Sequence, residues 1–139
     1  MSFQLIRSHI ETRIQAAYQV QRVQVVWDNV QETPPALPYV ICLISFQETT
    51  EAVLCTGESM MENINGSIQL SHYAPRGQGM KQLETLAATG MSCLNTMYDW
   101  GNTTANVKMG RINGPVHLLE GPEPYAISTL SAPFTGIVY

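Results

Sequence analysis

The segment WDNVQETPPALPYVICLISF, Trp27–Phe46, runs from the end of a strand-like stretch through a proline-rich crossing into the most apolar run of the chain. Pro34, Pro35 and Pro38 fix their own φ at about −65° and press the residue before each toward extended geometry. Gln31–Pro38 is therefore expected to form a semi-rigid arm. Tyr39–Ile44 (YVICLI) is continuously apolar, of strand length and rich in β-branched residues, the pattern of a strand covered on both faces. The arm is expected to launch this strand as the centre of the fold.

Upstream, Ser2 suits an N-cap, and Phe3, Ile6, Ile10, Ile14 and Ala17 follow at steps of three and four, which predicts an amphipathic helix of about four turns. Val23, Val25 and Trp27 alternate with Gln24 and Val26, so Val23–Val30 reads as a strand. Downstream, Glu48–Glu51 (ETTE) reads as a polar turn, and Ala52–Thr56 as a short strand folded back on the central one. Asn65-Gly66 has the chemistry of a two-residue hairpin turn. Ser67–Tyr73 alternates, with Ile68, Leu70 and His72 on one face.

Pro75-Arg-Gly-Gln-Gly79 then breaks the strand and introduces a second helix, with Leu83, Leu86, Ala87, Gly90, Met91, Leu94 and Met97 as its stripe. Gly90 costs about 1 kcal/mol of helix propensity there, which implies a close backbone approach. Asn113-Gly-Pro115 predicts another hairpin, between 107–112 and 116–119. Tyr125–Leu130 reads as the last strand, and Pro133 is expected to confine Phe134–Tyr139 to a sheet edge or to a contact outside the domain.

Strands in runs with two helices predict an α+β fold in a single domain over residues 1–139, with a mostly antiparallel central sheet and both helices packed on one face. That arrangement leaves a question for Tyr39–Ile44. Either the sheet curls over itself, or a neighbouring copy lies against the second face.

Charged residues make up only 13% of the 139, against a usual share of roughly 25%. A surface so short of charge is either carried by Gln, Asn, Ser and Thr or hidden against other subunits. A net charge of −4 with seven basic residues lacks the basic footprint of a nucleic-acid binder. Cys42, Cys55 and Cys93 form no CxxC pair, which suits a reducing compartment. The N-terminal residues mix charge in too early for a secretory signal, and no run approaches the roughly 18 apolar residues of a membrane span. A soluble protein made in the cytoplasm is expected, without a membrane partner.

No arrangement for catalysis stands out. His72 lies on the apolar face of an alternating strand and reads as a hydrogen-bonded core histidine. His9 and His117 have no partner at metal-ligand spacing. PRGQG lacks the GK[ST] ending of a phosphate loop and reads as a turn before a helix. Glu48, Glu51, Glu58 and Glu62 read as a solvated hairpin, and Met60-Met61 as a contact surface or local packing. Neither an enzyme nor a cofactor is expected.

Trp27-Asp-Asn-Val30, Pro34-Pro35 and Pro38-Tyr-Val40 together resemble the W/Y-x-N-V, P-P, P-Y-V signature of tail terminator proteins of long-tailed bacteriophages. The amphipathic N-terminal helix, the Pro75-x-Gly77-x-Gly79 turn before a long helix, and Leu130-Ser-Ala-Pro-Phe134 extend the likeness over nearly the whole chain. The order of these short motifs carries it.

The resemblance implies a structural virion protein. It would assemble in the host cytoplasm as a homo-oligomeric ring, typically hexameric, that caps the tail tube protein and ends tail polymerisation. The ring would present a surface to the head-neck connector or stopper, and DNA would pass through it without specific binding. On this reading Asn29, Val30, Pro34, Pro35 and Pro38 form a positioning arm at a subunit boundary. Met60 and Met61, within the hairpin Gly57–Gly66, touch the tube or a neighbour, and Glu58 and Glu62 contribute to a channel that repels phosphates. The alternatives are another neck or head–tail joining protein and, from a different class, a small-molecule-binding or enzymatic α+β domain.

Overall fold

Helix α1, Ser2–Gln19, buries Ile6, Ile10, Ile14 and Tyr18 completely, one residue per turn along a single face. The computed structural model describes residues 2–27, 38–53, 60–75, 77, 80–96, 100–101, 105–118 and 125–138. After α1, the Arg22 N–H donates to the Gln19 carbonyl and the Val23 N–H to the Tyr18 carbonyl, with Arg22 at φ 58°. This is a Schellman cap with an arginine at the left-handed position that glycine usually holds. The cap turns the chain directly into β1, Gln24–Trp27. Residues 28–30 of the predicted first strand lie outside the described residues.

The other elements are β2 (Tyr39–Val53), β3 (Met60–Pro75), α2 (Lys81–Thr96), β4 (Trp100–Gly101), β5 (Ala105–Met109), β6 (Asn113–Leu118) and β7 (Tyr125–Val138). The strands form one sheet in the order β1-β2-β3-β7-β5-β4, with β6 also on β7. Its ladders are antiparallel except for the parallel β1–β2 pair. The fold is α+β, with a mostly antiparallel sheet whose inner face packs under both helices.

Cross-strand rows build that inner face. Cys42, Leu70 and Leu130 share one row; Ile44, Ile68 and Ala132 share the next. All six are buried, and they join Ile6, Ile10, Ile14, Leu86 and Leu94 in one apolar cluster. Each fully buried Ile or Leu contributes about 1.5–3 kcal/mol relative to exposure. The predicted stripe of α2 is borne out by buried Leu83, Leu86, Ala87, Gly90 and Leu94, joined by Cys93; Met97 lies outside the described residues.

The hub of the sheet differs from the expected one. It is the β3–β7 pair, matched residue for residue from Glu62–Val138 to Pro75–Tyr125, and not Tyr39–Ile44. Glu48–Glu51 is no turn either, because β2 continues through it to Val53 and pairs with 60–65. The predicted return strand over 52–56 is thus the end of β2 at 52–53, and 54–56 lie outside the described residues. Here long-range pairing overrides the weak strand propensity of Glu.

Asn65-Gly66 sits inside β3, opposite Phe46 and Phe134, and does not turn. Gly66 serves a packing need. A Cβ there would collide with the Ser45 carbonyl oxygen and lie 2.6 Å from the Phe134 ring. Beside it the β2 register slips between Phe46 and Glu48, a bulge that re-aims the strand.

Asn113-Gly-Pro115 is likewise inside a strand. β5 and β6, instead of pairing with each other as a hairpin, lie end to end along one edge of β7. Between them the Gly110 N–H donates to the Pro133 carbonyl at 2.7 Å. In a strand the N and O of one residue point the same way, so the position where Pro133 lacks an N–H faces 110–112, between the two ladders. This lets β7 continue past Pro133 through the sheet interior, which overturns the expected edge position of Phe134–Tyr139.

Candidate interaction surface

The outer face of the sheet is made by the residues of β2, β3 and β7 that alternate with the core. In register they form the rows Tyr39–Tyr73–Ile127, Ile41–Ser71–Thr129, Leu43–Gln69–Ser131 and Ser45–Ser67–Pro133. β1 and β6 lengthen the second row at its ends, with Val26 beside Ile41 and Val116 beside Thr129. None of these residues is charged. Lys108, paired with Thr135 on β5, stands at the margin.

Leu43 is 42% exposed and Val116 67%, large apolar surfaces to leave in water. Tyr39 and Tyr73 stack with ring centroids 4.8 Å apart and planes 10° from parallel. The Ser71 and Thr129 hydroxyls lie 3.4 Å apart, and the Thr135 hydroxyl donates to Asn65 Oδ1 at 3.1 Å. The expectation that Tyr39–Ile44 is covered on both faces is therefore corrected for the single chain. Val40, Cys42 and Ile44 are buried under the helices, while Ile41 is half-buried and Leu43 exposed. No part of the described sheet curls back over them.

On the inner face one row is polar: Val40, His72 and Ser128. His72 Nδ1 lies 3.0 Å from the Ser128 carbonyl oxygen, which can only accept, so Nδ1 carries the proton. Nε2 then accepts from the Tyr18 hydroxyl at 2.5 Å. Burial holds His72 down to about 4 against the opposing pull of the Ser128 carbonyl. Burial also raises the Tyr18 phenol well above its ordinary range. Both side chains are fully buried, and the Ser128 hydroxyl is buried without a partner. A general base must reach the proton it abstracts, and this imidazole is sealed beneath α1 and α2. The group fastens α1 to the sheet, with α2 packed against it at Gly90, in agreement with the core reading of His72.

Between α1 and α2 runs a groove of about 1010 Å³, lined by Ala16, Ala17, Ala88 and Thr89 and flanked by Arg13 and Glu84. Cys93 lies on its floor; burial raises the thiol to about 11 against the opposing effect of Arg13. An unactivated thiol of this kind is a poor nucleophile. Among the described residues, no three His, Cys, Asp or Glu side chains are grouped to hold a metal ion, and no helix is long and apolar enough to cross a membrane.

Of the residues assigned to a subunit boundary, Asn29, Val30, Pro34, Pro35 and Glu58 lie outside the described residues. Pro38 is half-buried at the start of β2. Met60, Met61 and Glu62 open β3, paired with Val53, Ala52 and Glu51, so the expected weakly patterned hairpin is strand from Met60 onward. Their side chains lie outside the described residues. Sequence reasoning raised the second face of Tyr39–Ile44 but not its extension across β3 and β7, although Ser67, Gln69 and Ser71 opposite Ile68 and Leu70 were its visible signal.

No family model and no curated protein matches the sequence. Fifteen chains of solved structure match the fold. One of them, a protein that carries only a serial designation, is 22% identical, with 100% of this chain and 96% of its own aligned at a TM-score of 0.59. At that identity the likeness speaks for the α+β architecture.

Proposed function

We propose that this chain is a structural subunit of a bacteriophage tail, a tail-terminator-like protein. It forms a ring on the end of the tail tube, stops tube growth and offers a surface to the head-neck connector. The order of motifs in Trp27–Val40 supports the reading, and so does the α+β fold. What carries it furthest is the uncharged outer face of the sheet. A monomer in water has little use for a broad face without charge that exposes Leu43 and Val116; a subunit destined for contact does. The net charge of −4 suits a ring through which DNA slides, since fixed cations would hold its phosphates.

The test is the mass of the purified protein by light scattering, alone and with its tail tube protein. A ring-sized species, or a monomer that becomes a ring on tube ends, is expected. A protein that ignores tube ends in every condition sinks the tail reading.

A further inference from the structure

We infer that the outer face of the sheet is buried by a second copy of this chain. This rests on the ring reading for the existence of an assembly, and names the surface that makes it. Five strands, β1, β2, β3, β7 and β6, contribute to the row through Ile41, Ser71 and Thr129. At about 4.8 Å between strands and 3.3 Å per residue, β2, β3 and β7 over the length of Tyr39–Ser45 with the shorter β1 and β6 give a face of about 475 Å². Two copies would then bury about 950 Å² together, close to the roughly 1,000 Å² expected of a specific interface.

The chemistry selects the occupant. Over the four rows from Tyr39 to Ser45 a partner's Lys, Arg, Asp or Glu would be desolvated with nothing opposite to pair it, charge entering the sheet only in the next row, at Glu48 and Lys108. A second copy meets the requirement, because only 13% of its residues are charged. Its Ser, Thr, Gln and Asn side chains both donate and accept, so they can satisfy the exposed Gln69 and Ser45. Leu43, exposed on β2 just past the end of the β1 ladder, is the apolar anchor of the contact.

The experiment compares the full chain with Leu43→Asp, Thr129→Lys and Ser131→Lys by light scattering over a wide concentration range. Circular dichroism confirms that each variant is folded. Val20→Asp, on an exposed residue at the end of α1 away from this face, serves as the control. Wild type and Val20→Asp are expected at a multiple of 15.4 kDa, and the face variants at 15.4 kDa. Folded face variants that keep the wild-type mass overturn the inference, as does a wild type of 15.4 kDa at every concentration. An oligomer disrupted by the face variants but indifferent to tube ends supports the inference while sinking the tail reading. A 15.4 kDa wild type that still caps tubes does the reverse.

Discussion

Gly90 of α2 stands against the Tyr18 hydroxyl of α1 so closely that a Cβ on Gly90 would lie 2.5 Å from that oxygen. The same Cβ would lie 3.1 Å from His72 Nε2 and 3.1 Å from Leu130 Cδ1. The helix accepts a poor helix former so that α2 can pack directly over the hydrogen bond between Tyr18 of α1 and His72 of β3. Gly90→Ala gains about 1 kcal/mol of helix propensity and incurs about 1–3 kcal/mol of overpacking. A net loss of up to about 2 kcal/mol in urea denaturation is expected, and a variant more stable than wild type would show that Tyr18 yields freely.

Tyr18→Phe keeps the ring and removes the hydroxyl, leaving His72 Nε2 as a buried acceptor without its donor. The expected cost is about 1–3 kcal/mol, read from the shift in denaturation midpoint at neutral pH. A neutral outcome would mean that water replaces the phenol.

His72 also gives the fold a pH dependence with a defined sign. Its folded pKa, lowered to about 4, lies below the ordinary 6.5, so between these values the unfolded chain binds a proton that the native state does not. The stabilisation is complete above pH 6.5, declines as pH falls toward 4 and is exhausted below it. The difference amounts to about 3 kcal/mol. Stability of wild type minus His72→Gln, followed from pH 7.5 to 4 (about the span between the two pKa values), should fall by a large part of this. A constant difference would place the imidazole in contact with solvent.

Arg22 holds φ 58° in the cap that turns α1 into β1. A left-handed conformation costs a non-glycine residue about 1 kcal/mol, so Arg22→Gly should raise stability by up to that amount. Thermal melting checks this, and a lower midpoint would mean that the arginine side chain holds a contact worth more than the strain.

Cys42 and Cys93 are both buried, and Cys93 titrates near 11. Neither should react with iodoacetamide in the native protein at neutral pH, and both should label in denaturant. Peptide mass mapping reads each site separately, and rapid native labelling at Cys93 would show that the groove between the helices opens.

Local periodicity made much of this fold legible. The spacing of Ile6, Ile10 and Ile14 and the alternation of Ile68, Leu70 and His72 depend only on neighbours in sequence, and both survive intact. The misreadings share a cause. Gly66 and Gly114 sit in dipeptides that make excellent turns, yet each is required by the close approach of a remote residue. Phe134 and the Ser45 carbonyl crowd Gly66, and the Thr129 carbonyl crowds Gly114, which has φ 108°. Glu48–Glu51 extends β2 because Asn63 and Ile64 are there to pair with it, a fact of register and not of propensity. The outer face was hidden for a related reason. Residues 39–45 and 67–73 each lack Asp, Glu, Lys and Arg in sequence, but that their outward residues join those of β7 in common rows is a property of the sheet alone. The proline arm, prominent in sequence, has only Pro38 among the described residues.

β7 follows in sequence every strand that it binds together, and this sets the timetable of folding. A ribosome must release Tyr125–Val138 before β3 gains its second neighbour and before β5 and β6 gain the partner they share. Until then the inner rows ending at Leu70 and Ile68 are open on one side. The fold is slow for its size, because the β3–β7 ladder closes a long loop. A chain truncated before Tyr125 would leave β3, β5 and β6 each without this partner, and such open edges are where nascent proteins recruit chaperones or one another.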